Sequence, residues 1–166
     1  MLRIGLLRVR EQREETGTGK VRPGTPREYG AVKRLLTANK MPIAGVPESL
    51  QNFFVAFDGQ KVIGAIGLEV FGDTALLRSA VVDDSARGSG LGAQLVEAAL
   101  AKARVLRVRE VFLLTMTAEK YFPRFGFAAV PREEAPKEML SSAEFTGACP
   151  ASAILMKRTV NSSSRR

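Results

Sequence analysis

The chain has 166 residues, 45% apolar and 25% charged, with a net charge of +8 and no histidine. That is one domain's worth of sequence, with enough apolar side chains for a single core. It has no apolar run near the ~20 residues a membrane helix needs, and its one cysteine, Cys149, excludes an internal disulfide and fits a reducing cytoplasm. Without histidine, acid–base chemistry falls to carboxylates, tyrosine, cysteine, lysine or water. The basic residues are dispersed, with no recognition motif or run of aromatics beside them. Neither nucleic acid nor a membrane is therefore the expected partner; a solvated basic surface or a small polyanion fits better.

Residues 1–19 turn polar and glycine-rich at Thr16-Gly17-Thr18-Gly19 and read as an extension outside the core. Lys20 to Arg22 is the first strand. Thr25-Pro26-Arg27-Glu28 opens a helix, with a capping threonine, proline in the first turn and an acidic residue behind it. Pro47 begins a short helical turn to about Asn52. Phe53–Phe57 and Lys61–Phe71 are strands around an Asp58-Gly59 hairpin, and Gly72-Asp73 turns the chain into a central strand, Thr74–Val82. A helix follows to Leu106, its apolar face set by Leu91, Leu95, Val96, Ala99, Leu100 and Ala103. Val111–Thr115 is a buried strand, Ala118–Phe125 a short helix, and Phe127–Val130 a further strand. Pro131–Leu140 is a charged helical turn, Ser152–Lys157 the last strand, and residues 159–166 a polar tail. The domain proper spans 20–158.

Between the central strand and the long helix lies Arg87-Gly88-Ser89-Gly90-Leu91-Gly92. Glycines so dense let the backbone approach a ligand closely. The following helix start offers unpaired N–H groups and the positive end of a dipole, which suits phosphate. A tight strand-to-helix turn without a ligand is the plainer alternative. The Walker ending Gly-Lys-Ser/Thr is missing, and the glycine order departs from G-x-G-x-x-G. The R-x-x-G-x-G pattern between strand and helix resembles the acyl-coenzyme A pyrophosphate loop of the GNAT superfamily of N-acetyltransferases. Glu119-Lys120-Tyr121-Phe122-Pro123-Arg124-Phe125-Gly126-Phe127 resembles the superfamily's aromatic, Gly-Phe ending of its fourth helix. Leu76-Leu77-Arg78-Ser79, Leu113 to Glu119, and Glu144-Phe145 with Cys149-Pro150-Ala151-Ser152-Ala153 resemble the branch associated with arsenic resistance operons. That branch is itself similar to short amino-acid N-acetyltransferases.

The resemblance implies an α/β (α+β) fold: a mixed central sheet splayed between its fourth and fifth strands and flanked by helices. It implies acetyl-CoA as cosubstrate with no metal, a small amine of amino-acid-like type as acceptor, and a homodimer in many members. The backbone from Arg87 through Gly88, Ser89, Gly90 and Leu91 to Gly92 would hold the diphosphate. The backbone of Ala80, Val81 and Val82 would pair with the pantetheine arm. Register about the Gly72-Asp73 turn sets Glu69 opposite Leu76 and Gly67 opposite Arg78, so Glu69 and Arg78 share a face as diagonal neighbours. Glu69 is thus the candidate base and Arg78 the candidate clamp for a substrate carboxylate, or the two form a structural ion pair. The superfamily often places a tyrosine acid where this chain has Phe122. Tyr121, one residue earlier and about 100° round a helix, either swings in as the acid or packs, in which case the CoA thiolate leaves without enzymatic protonation. Thr115 and Thr117 either bond substrate or cap the next turn. Cys149, with nothing basic beside it, reads as a packed thiol. A CoA-binding sensor without turnover is the alternative function.

Overall fold

The computed structural model describes residues 20–160. The extension 1–19 and the tail beyond 160 lie outside the described residues. Seven strands form one mixed sheet in the order β1-β2-β3-β4-β5-β7-β6. They are β1 (Lys20–Pro23), β2 (Phe53–Asp58), β3 (Lys61–Phe71), β4 (Thr74–Val82), β5 (Glu110–Thr115), β6 (Ala128–Val130) and β7 (Ile154–Thr159). Two α-helices cover it, α1 (Tyr29–Ala38) and α2 (Leu91–Val105).

Alternation along β4 assigns the layers. Ala75, Leu77 and Val82 pack with Leu91, Leu95, Val96, Ala99, Leu100 and Ala103 of α2 in the largest core cluster. Val81 faces the other way, with Val32 and Leu36 of α1 and with Phe53, Val55 and Ala65. Leu76 lies on that second face too, under Met139 and beside Phe112 and Leu155. At the α1 entry the expected capping threonine takes part in a capping box: Thr25 and Glu28 satisfy each other's backbone ends across a 3-10 turn at Pro26–Glu28.

A short helical turn expected at 47–52 and a short helix expected at 118–125 take other forms. Residues 47–52 form turns, with positive φ at Leu50 and Asn52. Residues 118–125 form a turn and a 3-10 helix, Phe122–Phe125, ended by Gly126 at φ 87. Pro123 removes a backbone donor and sits close to the glycine stop, which leaves no room for a full α-turn. The last expected strand moves to Ile154–Thr159 and inserts between β5 and β6, so β6 becomes the edge.

The feature that makes room for a site is a break in β4. Up to Leu77 its pairing with β3 runs in one register; beyond Arg78 the register shifts by one. Ser79 and Ala80 thus stand opposite the single residue Ile66, and Ser79 holds a φ of 59. Such a bulge bends and re-aims the strand. The parallel pairing of β4 with β5 extends only from Thr74↔Glu110 to Leu77↔Leu113. Past that point the two strands part.

Candidate active site

The parted strands open a cavity of about 480 Å³. Leu77 to Ala80 form one side and Leu113 to Ala118 the other; Met41, Pro42, Phe122, Glu144 and Cys149 complete it. On its β3 side Val81 pairs with Ala65 and Val82 with Gly64, so the opposite backbone edge of β4 is left without a strand where the cavity begins. From there the chain runs through the turn Asp84–Ala86 into the glycine loop.

In that loop Gly88 and Gly90 both hold φ 84, a conformation side chains resist. Gly90 is the N-cap of α2. The backbone N–H groups of Gly88, Ser89, Gly90, Leu91 and Gly92 have no protein acceptor among the described residues. Arg87 differs from expectation. Its own N–H already donates to the Asp84 carbonyl, so an amide cradle starts at Gly88. Its side chain donates from Nε to the Val82 carbonyl (3.1 Å) and from Nη2 to Asn39 Oδ1 (2.6 Å), and pairs with Asp84. The side chain is a strut tying the loop to the end of α1.

The predicted register on the acceptor side is the observed one, with Glu69 opposite Leu76 and Gly67 opposite Arg78. Glu69 and Arg78 meet at 3.4 Å. The Arg78 side chain is wholly buried and every nitrogen has a partner. Nε donates to Ser79 Oγ (3.0 Å), Nη1 to Glu69 Oε1, and Nη2 to the Ala44 carbonyl (2.7 Å) beside Glu144 Oε2 at 3.4 Å. The clamp expected of Arg78 is thus already closed on protein. Glu69 accepts a 2.6 Å bond from Ser142 Oγ, keeps 22% of its side chain exposed, and stands behind Arg78 rather than lining the cavity. Glu144 does line it. No periodicity reached Glu144; the only sequence signal was the Glu-Phe and Cys-Pro segment.

Thr115 lines the cavity and its Oγ1 accepts from the backbone N–H groups of Ala118 (2.8 Å) and Thr117 (3.3 Å), so Thr115 rather than Thr117 is the cap. Tyr121 is a correction. It is 6% exposed, its ring packs edge-on against Phe122 and Phe125, and it does not line the cavity, whereas Phe122 does. Its buried hydroxyl has no partner, and burial pushes its pKa up to about 12. Cys149 donates to Glu144 Oε1 (3.2 Å). Burial, then the neighbouring Glu144 charge, pushes the thiol up to about 12, which removes it as a nucleophile.

Residues 49–129 match the family described as the acetyltransferase (GNAT) domain. An amino-acid acetyltransferase of Mycobacterium tuberculosis is 36% identical over 87 residues, 50% of this chain and 49% of that one. An uncharacterized N-acetyltransferase of Chlorobaculum tepidum is 32% identical over 101 residues, 60% of this chain and 64% of that one. The chain thus spans about half to two thirds of the length of these curated relatives. Among solved structures, Rv2747 from Mycobacterium tuberculosis, in complex with CoA and NLQ, is similar at a TM-score of 0.73 and 26% identity, over 86% of this chain and 99% of that one. N-acetylglutamate synthase from Neisseria gonorrhoeae, with coenzyme A and N-acetyl-glutamate, shares the fold at 0.72 and 18% identity, over 86% of this chain and 35% of that one.

Proposed function

We propose that the chain moves an acetyl group from acetyl-CoA to the amine of a small, amino-acid-like acceptor, by direct attack within a ternary complex. The observation that carries this reading is the pairing of a parted β4–β5 edge with five open backbone amides at the start of α2. The amides from Gly88 to Gly92 hold the diphosphate, with the helix dipole behind them. The pantetheine arm lies along the free edge at Ala80–Val82 as an added strand, which delivers the thioester into the cavity. Holding thioester and amine together supplies about 7–11 kcal/mol of the barrier, so little covalent work is left to side chains.

Glu69 takes the proton of the incoming ammonium through water. Ser142 fixes its Oε1 while part of the side chain stays wet. The tetrahedral intermediate then gives the second proton of its nitrogen to water and expels CoA as a thiolate, whose pKa near that of an ordinary thiol permits departure without an enzymatic acid. Binding of CoA by a relative 26% identical, and the acetyltransferase names of two relatives, support this. One observation favours a second reading, a CoA-binding sensor: neither tyrosine of the chain lines the cavity.

Calorimetry with acetyl-CoA is the first test; absence of micromolar binding removes both readings. Thiol release over a panel of amines, including amino acids and arsenic-containing analogues, separates them. Turnover on any acceptor supports the transferase, and binding without turnover on all of them supports the sensor.

A further inference from the structure

We propose that Arg78 is a positioning residue that latches two separate segments, 41–46 and 142–149, into one wall at the acceptor end of the cleft. The wall's role rests on the acetyltransferase reading; the latch itself rests on geometry. One arm of the guanidinium reaches the first segment, where Nη2 donates to the Ala44 carbonyl at 2.7 Å. Gly45 lies against the same group: with φ +83 it carries no Cβ, and one placed there would come within 2.9 Å of Nη1. The second segment is held twice. Glu144 Oε2 pairs with Nη2 at 3.4 Å, and Ser142 Oγ bonds Glu69, which Nη1 also engages.

The two segments meet over this hub, since the same Cβ on Gly45 would lie 3.1 Å from that of Ala143. No backbone hydrogen bond joins residues 42–46 to 142–149 among the described residues. Side chains of the hub therefore carry the connection. Met41 and Pro42 from one segment, and Glu144, Ala148 and Cys149 from the other, line the cavity. A wholly buried cation between two carboxylates is costly to desolvate, and removing one partner strands the others. Loss of the guanidinium therefore frees both segments, whereas loss of the Glu144 charge frees only the segment it holds.

Hydrogen exchange on the full chain tests this, alongside acetyl-CoA calorimetry and acceptor kinetics. Arg78→Met removes the fork and keeps much of the volume. Arg78→Lys keeps charge without the fork. Glu144→Gln cuts only the arm to 142–149. Arg78→Met should raise amide exchange about tenfold or more in both 43–46 and 142–149, the loss expected of a charge-assisted bond. Glu144→Gln should raise it in 142–149 alone, with Arg78→Lys between. On an acceptor found by the panel, Arg78→Met should raise KM about tenfold while the acetyl-CoA Kd stays within about threefold. Unchanged exchange in both segments overturns the latch. So does equal loosening of both by Glu144→Gln, or an acetyl-CoA affinity that falls in step with KM. If Arg78→Met does not fold, the lysine and glutamine variants decide by the same pattern. If the wild-type chain binds no acetyl-CoA, the functional reading fails while exchange still judges the latch.

Discussion

Tyr121 shows how one residue of helical phase decides a role. The aromatic run ends in Gly126-Phe127 as expected, but Phe122 turns to the cavity and Tyr121 into the core. A buried hydroxyl without a partner gives up its hydration for nothing. Tyr121→Phe should therefore hold turnover within about twofold and leave the melting temperature equal or higher. A tenfold fall in kcat would restore Tyr121 as the acid. The Glu69–Arg78 pair was legible from the sequence because both residues belong to one hairpin, where alternation and a two-residue turn fix the face. The partnership of Arg78 with Glu144 and Ala44 was not. Those residues lie in loops without a period, 66 and 34 positions away, and only the folded chain brings them together. Arg78 thus already meets two carboxylates within the protein, Glu69 and Glu144.

At the scale of elements, the strands and α2 could be read directly, because long periodic runs leave little choice of structure. Short segments rich in proline and glycine, at 47–52 and 118–125, could not, since tertiary packing overrides their weak local preference. The glycine loop was legible as a loop; its open amides required the coordinates, as did Arg87's use as a strut. Gly90 tests the loop. Gly90→Ala places a Cβ at φ 84, on the cap of α2, costing about 1–2 kcal/mol of strain. It also sets a methyl group where a diphosphate would approach. The acetyl-CoA Kd should rise by about tenfold or more while the α2 core stays packed; an unchanged Kd would remove the loop from the cofactor site. Gly67 in β3 makes a different kind of test. A Cβ there would sit 2.3 Å from the Phe53 ring. Gly67→Ala should lose about 1–3 kcal/mol of stability in urea unfolding, since the ring is packed and the core does not yield cheaply. A neutral outcome would mean that Phe53 can move, and that the face bearing Arg78 is softer than its packing indicates.

The whole molecule has a pH window set by a few buried and half-buried groups. Cys149, ordinarily near 9.0, and Tyr121, ordinarily at 10.0, are both pushed up to about 12, chiefly by burial. An unfolded chain releases these protons from about pH 9 upward, while the folded chain keeps them. Stability is thus intact below pH 9 and falls as pH climbs toward 12. Lys157 is raised as well, first by its bond to Glu134, and its contribution is lost over the same alkaline limb. On the acid side, burial pushes Glu28 up, but bonds from Arg22 and Thr25 outweigh it, and its net shift is downward. Asp83 is lowered first by the Ser85 hydroxyl. Both contribute stability that disappears as pH falls below their ordinary values of 4.5 and 3.8. Urea midpoints should form a plateau between about pH 5 and 9, with a fall on each side. With its thiol held protonated at pH 8, native protein should resist iodoacetamide and react only on unfolding. Cys149→Ala should flatten the alkaline limb, whereas changes at Glu28 should leave it alone. A midpoint that goes on rising above pH 10, or rapid alkylation of the native thiol, would place Cys149 in open solvent and detach it from Glu144 and the latch.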